Sequence, residues 1–433
     1  MPDVRKLFLP ALLLVVAALA LAACGGGGGS SSESTSEGGG ETAVTETEGE
    51  DEGGASALGS PDKATGKPIV FGLLNIENGP IVFPELREGA EAAINYINEY
   101  KGGLQGRPIK LETCATDGQP ATSARCANEV IEKDPLLILG GGDTGGPGAI
   151  PVYERAEIPY VGGVPFTPVE SNSKDAVIFN SFGGFADNLA ALAYAHEELG
   201  AESGVALGVG GTQGEFTQAV LKNGMEGMGM EVTVVTFPET TADVTSPAAE
   251  AVSQNADMVF ADDPANCPAL LKALESVGNT APVVTIELCA SPQAIEAAGS
   301  AAEGVYFAGP YEQLDSGSEA ADITAAMLEK YAPKAPVNGV TLNGVSSVMN
   351  IANKLNEAPK ADLEDQSKIL PLFEEGKENP NWLAHPYTCD HKQVPTQSSA
   401  CTAYQKVKQV KNGEVVEVGK GWVTGTQYYH PSE

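Results

Sequence analysis

The chain has 433 residues, with 25 basic and 58 acidic side chains and a net charge of −33. Setting aside the first 67 residues, which hold ten acids and four bases, leaves most of that deficit in place, so the folded body repels nucleic acid and anionic lipid. Hydrophobic residues at 42% suffice for sizeable cores, and the length allows two or three domains of roughly 150 residues each.

At the N-terminus, Arg5 and Lys6 precede an apolar run of 16 residues, 7–22, interrupted by Pro10 and shorter than the roughly 20 residues a spanning helix needs. Residues 1–23 therefore read as an export signal. The run ends in Leu21-Ala22-Ala23-Cys24. This resembles the lipobox of bacterial lipoproteins, which implies cleavage before Cys24 and acylation of its sulfur, giving a body tethered to the cell membrane on its outer side. Residues 24–67 are rich in Gly, Ser, Thr and Glu and read as a disordered acidic linker, too poor in apolar surface to offset the entropy of ordering.

From Ile69 onward, apolar runs alternate with helical periodicity. Strands are expected over 69–74, 109–113, 136–140 and 159–161, with helices over 84–100 and 121–133. A second series follows, with helices over 186–199, 215–227, 247–254 and 268–277. Its strands fall over 205–209, 232–236, 257–261, 283–286 and 304–308. Such alternation predicts an α/β fold with parallel sheets covered by helices on both faces. Helices over 319–331, 341–356 and 365–375 come next, and Asn412-Gly413 between alternating residues of 407–418 marks a hairpin.

With Cys24 assigned to lipid, six cysteines remain, an even number in an exported chain. They form three close couples, Cys114 with Cys126, Cys267 with Cys289 and Cys389 with Cys401, and sequential pairing is the simplest of fifteen connectivities. The rival is a zinc site from His385, Cys389, His391 and Cys401, whose spacing matches no common finger. No metal site and no cofactor is expected. Serine-elbow, zinc-protease and phosphate-loop motifs are missing, and Gly208-Val209-Gly210-Gly211 lacks the spacing of a dinucleotide fingerprint.

Gly72-Leu73-Leu74, Asn78-Gly79-Pro80, Gly89-Ala90-Glu91, Ile97-Asn98 and the run Gly102-Gly103-Leu104-Gln105-Gly106-Arg107-Pro108-Ile109, taken in order, resemble the opening of branched-chain amino acid ABC-transporter binding proteins. These are type I periplasmic binding proteins of the Leu/Ile/Val-binding family. The resemblance implies two Rossmann-like lobes joined by three crossings, placed near Phe182, Pro310 and His385. Lobe I is then 68–181 with 311–385, and lobe II is 182–310 with 386–433. It implies a monomeric non-enzyme that closes on a small polar or amino-acid-like ligand and docks on membrane permease subunits. A sensing subunit of a membrane receptor, or an extracellular enzyme on the same scaffold, would carry the same fold.

Ligands in such sheets sit beyond the carboxyl ends of the strands. The first loop to search is 140–146, where glycines would let backbone amides approach a ligand and where Asp143 and Thr144 lie. By resemblance, the Thr144 hydroxyl holds a ligand α-carboxylate and the loop with Pro165 and Phe166 adds backbone groups. Glu287 matches the carboxylate that pairs with a ligand ammonium. Gln213 and Asp263 stand where the family often has aromatics, which argues for a ligand with an amine, an amide or several hydroxyls, as Asp262, Asp263 and Glu287 are costly to bury beside methyl groups. Phe83 is the expected apolar wall.

Overall fold

The structure is a computed structural model that describes residues 57–79 and 81–430, leaving out the side chains of Thr212 and Gln213. The export signal, Cys24 and the first part of the acidic linker lie outside the described residues. Residues 57–67, counted with that linker from composition, pack onto the body. Leu58 and Ala64 are buried, and the amides of Asp62 and Ala64 donate to Glu99 O and Asn98 O.

The first half runs β1 (Ile69–Ile76), α1 (Pro84–Tyr100), β2 (Ile109–Thr116), α2 (Pro120–Ile131), β3 (Leu137–Leu139), α3 (Gly146–Ala156), β4 (Tyr160–Val161), a single turn α4 (Pro168–Ser171) and β5 (Ala176–Val177). The second half runs α5 (Ala186–Glu197), β6 (Ser203–Val209), α6 (Gly211–Gly227), β7 (Glu231–Phe237), α7 (Thr245–Ser253), β8 (Met258–Asp262), α8 (Cys267–Ser276), β9 (Val283–Thr285), α9 (Pro292–Ala298) and β10 (Tyr306–Gly309). The chain then forms α10 (Glu319–Tyr331), α11 (Gly339–Glu357), α12 (Ile369–Glu374) and a terminal hairpin, β11 (Gln405–Lys411) with β12 (Glu414–Val423).

β1 is apolar on both faces, as a strand covered by helices on each side must be, and it pairs in parallel with β2 and β3. The first sheet has the order β2-β1-β3-β4-β5, and the second β12-β11-β10-β9-β8-β6-β7. Within the second, β7-β6-β8-β9-β10 repeats the winding of the first sheet. The hairpin adds two antiparallel strands at the β10 edge, so this sheet is mixed. Its turn has Asn412 at φ 55° and Gly413 at φ 77°, the left-handed pair a two-residue turn between twisted strands needs. Apolar clusters fill both faces of each sheet. No helix among the described residues is long and apolar enough to cross a membrane.

Three connections join the halves. The first passes through Ser181–Gly184 and the second through Gly309–Tyr311. The third falls near Thr402–Gln405 instead of His385, because residues 386–401 stay with the first half. Tyr387 packs on Phe179 at 5.0 Å between ring centroids, and the Ile178 amide donates to Ser399 O while Cys401 N donates back to Ile178 O. The first and third connections thus run side by side, and buried Gln405 donates from Nε2 to Ser181 O at 2.8 Å.

All three disulfides have the sequential pairing: Cys114–Cys126, Cys267–Cys289 and Cys389–Cys401. Cys389 and Cys401 are bonded to each other and offer no thiolate to a zinc ion. The Cys267–Cys289 bond ties the start of α8 to the short 3-10 turn Glu287–Ala290 after β9.

Candidate functional site between the halves

In both sheets the strand order reverses beside the first strand of the half, β1 or β6, and the loops that follow β1, β3, β6 and β8 surround those points. On the first half, buried Asn75 clips two such loops together, donating to Phe83 O at 2.7 Å and accepting from Gly142 N at 3.1 Å. Phe83 and Phe166 stack at 5.4 Å between ring centroids with planes 25° apart, and a methyl at Gly142 would touch both rings. This pair forms an apolar surface beside the loops that follow β1 and β3. Pro165 is buried just before Phe166 in the same loop.

The glycine loop 140–146 behaves differently from expectation. A Cβ at Gly141 would sit 1.8 Å from Leu74 O, so this glycine admits the neighbouring strand's backbone and not a ligand. The Thr144 hydroxyl donates to Gly118 O at 3.1 Å, and buried Asp143 accepts through one oxygen from Thr116 Oγ1 at 2.9 Å and Gly145 N at 3.0 Å. The donors expected to hold a ligand carboxylate are therefore already engaged within the protein. Glu170 lies close by, buried, with its carboxyl pushed up to about 8 by loss of water, and a Cβ at Gly146 would meet it.

On the second half, several buried acids lie near one another. Asp262 ends β8 and is buried, its pKa raised to about 7 by desolvation first and then by the neighbouring charges of Asp263 and Asp187. Asp187, in the first turn of α5, is raised to about 6 by burial first, opposed by hydrogen bonds from backbone amides, with the charge of Glu287 adding to the rise. Both its oxygens accept from Gly184 N, at 2.9 and 3.1 Å. Asp263 is buried too and turns inward to accept from Asn266 N at 3.1 Å, fixing the start of α8. Glu287 accepts from Lys408 Nζ at 3.0 Å through Oε1, with both side chains almost wholly buried. Its Oε2 has no hydrogen-bond partner among the described residues, nor do Nε2 and Oε1 of buried Gln218. The Gln218 amide lies beside Asp262: a methyl at Gly208 would touch both.

Glu287 also reaches the first half. A Cβ at Gly339, the first residue of α11, would sit 2.2 Å from Glu287 Oε2 and 3.0 Å from the Phe182 ring. Around this point the connections are held by polar side chains. The Tyr311 hydroxyl accepts from Asn343 Nδ2 at 2.9 Å and Asn180 Nδ2 at 3.4 Å, and Asn381 Nδ2 donates to Asn180 Oδ1 at 2.9 Å.

Of the residues singled out from sequence, Phe83, Pro165 and Phe166 gather in one group of loops, Glu287 pairs with Lys408, and Asp263 turns to cap the start of α8. Asp143 is buried, half-buried Thr144 donates to Gly118 O, and the Gln213 side chain lies outside the described residues. Sequence reasoning missed Lys408, Asp187, Gln218 and Asn75. Only Asp187, an acid at a helix start, carried a local signal; Lys408 sits in a hairpin strand and is brought to Glu287 by sheet pairing alone.

A profile of the periplasmic binding proteins matches residues 68–377, and the chain belongs to that family. It is a family of binding proteins. Among solved structures, a leucine binding protein from Thermotoga maritima is 18% identical, with 82% of this chain and 99% of that chain covered and a TM-score of 0.67. A branched-chain amino acid transporter substrate binding protein from Streptococcus pneumoniae, in complex with isoleucine, is 16% identical over 81% of this chain and 100% of its own, TM-score 0.67. A fatty acid ABC transporter substrate-binding protein from Thermomonospora curvata is 16% identical over 86% and 97%, TM-score 0.71. At these identities the likeness is one of fold. No curated protein matches the sequence.

Proposed function

We propose that this chain is the extracytoplasmic solute-binding component of an ABC importer, tethered by lipid at Cys24, which captures a small polar organic molecule between its halves and presents it to permease subunits. The observation that carries this reading is the meeting of Glu287 from the second half with Gly339 and Phe182, where the connections cross. Groups from both halves converge there, so a ligand touching both would favour a closed arrangement over an open one. The named ligands of the similar structures, amino acids and a fatty acid, support a small organic solute.

Mass spectrometry of small molecules released from the purified full chain tests the reading. One molecule at near-stoichiometric amount, lost from Asp262→Asn, is expected; a preparation that holds none, and binds none from a solute library, contradicts it. For the tether, Cys24→Ala is expected to release the protein into the medium and abolish labelling by radioactive palmitate. Retention at the membrane with that variant would place the anchor elsewhere.

A further inference from the structure

The side chains gathered at the strand ends differ in chemistry between the two halves. The second half offers Asp187, Asp262 and Glu287, and among the described residues the only basic side chain paired with any of them is Lys408, which takes one oxygen of Glu287. Three buried polar atoms of this half lack hydrogen-bond partners among the described residues: Glu287 Oε2, which lies against Gly309 and Gly339, and both amide atoms of Gln218, beside Gly208, on side chains 9% and 6% exposed. Buried groups of this kind lose their hydration without compensation until something binds. The carboxylates ask for a donor that carries positive charge. On the first half, the Thr144 hydroxyl and the Gly145 amide are spent on Gly118 O and Asp143, and two buried acids, Asp143 within that loop and Glu170 beside Gly146, lie close to them. A ligand carboxylate would meet repulsion there instead of donors. Asp143 Oδ2 is likewise buried without a partner among the described residues, so the first half adds negative charge as well as the stacked Phe83–Phe166 pair.

We propose that the cleft takes an organic cation, an apolar body bearing an ammonium or amidinium group and no carboxylate, with the charged group against Asp187, Asp262 and Glu287 and the apolar body against Phe83 and Phe166. The proposal rests on the cleft being the solute site. It separates this chain from relatives that hold zwitterionic amino acids, because two anion-receiving donors are occupied from within.

Equilibrium dialysis of the full chain, at about 0.15 M salt to screen weak surface attraction, compares isoamylamine with leucine and phenethylamine with phenylalanine. Within each pair the compounds differ by one carboxylate. The expected result is that each amine binds at least tenfold tighter than its amino acid, and that Asp262→Asn weakens amine binding at least tenfold with its unfolding curve retained. Glu287→Gln serves as the second variant. An amino acid that binds as tightly as its amine, or no binding of either amine, overturns the ligand class. If a carboxylate ligand is lost with Asp262→Asn, the cleft assignment survives that failure; if amine binding is untouched by both variants, the cleft assignment fails as well.

Discussion

Lys408 and Glu287 lie 121 residues apart and meet only because β11 is added beside β10 in the second sheet. A buried pair of this kind gains little over a well-packed apolar pair, yet removing one partner strands the other charge. Lys408→Met is therefore expected to destabilise the fold by about 3–5 kcal/mol in urea unfolding. The double variant Glu287→Gln with Lys408→Met should lose less than Lys408→Met alone; an equal or larger loss would mean the pair is not coupled. Asp262, Asp187 and Glu170 carry the opposite kind of cost. Burial raises all three, to about 7, 6 and 8, so the folded state holds protons that the unfolded state has released. Stability from these groups is greatest near pH 4 and falls as the pH climbs through those values. The thermal midpoint of ligand-free protein should drop from pH 5 to pH 8, and Asp262→Asn should flatten the drop. A midpoint that rises over that range in the wild type and is unchanged in slope by the substitution would contradict the assignment. The acids at strand ends were legible in the sequence because their position follows from chain order. Lys408 was not, since its partner is chosen by sheet pairing.

At the scale of elements, α3 shows why one helix escaped the reading. Its sequence holds Gly146, Pro147, Gly148 and Pro151, which by propensity argue for a loop. Tertiary contact decides otherwise: a Cβ at Gly148 would lie 1.8 Å from Pro120 O, so the glycine is what lets α3 lie against the start of α2. Gly148→Ala is expected to cost about 1–3 kcal/mol through forced separation of the two helices, measurable as a lower urea midpoint. An unchanged midpoint would mean the helices part without cost. The two short strands β4 and β5 have two residues each, which is why 176–177 gave no pattern. The cysteine couples, by contrast, were readable from proximity in the chain. Removing the Cys267–Cys289 bond, which closes a separation of 22 residues and fixes the turn carrying Glu287, should cost about 3 kcal/mol. It should also weaken ligand binding more than loss of Cys114–Cys126, which joins β2 to α2 and fixes none of the second half's acids.

For the whole molecule, one winding is used twice, and its alternation of apolar runs and amphipathic stretches was enough to foresee α/β architecture with two sheets. The site was half legible. Strand-end position pointed to Phe83, Phe166, Asp263 and Glu287, but the direction in which Asp143 and Thr144 turn depends on hydrogen bonds to Thr116 and Gly118 that no local pattern encodes. The third connection was misplaced for a similar reason, as residues 386–401 return to the first half through pairing with Ile178. Joint capture by both halves is the central claim, and hydrogen exchange on the full chain, with and without its co-purified small molecule, tests it most directly. Slowed exchange is predicted together in the loops at 140–145 and 162–167, in 262–266 and 286–290, and in the connection at 180–184. Slowing confined to one half, with the other unchanged, would contradict it.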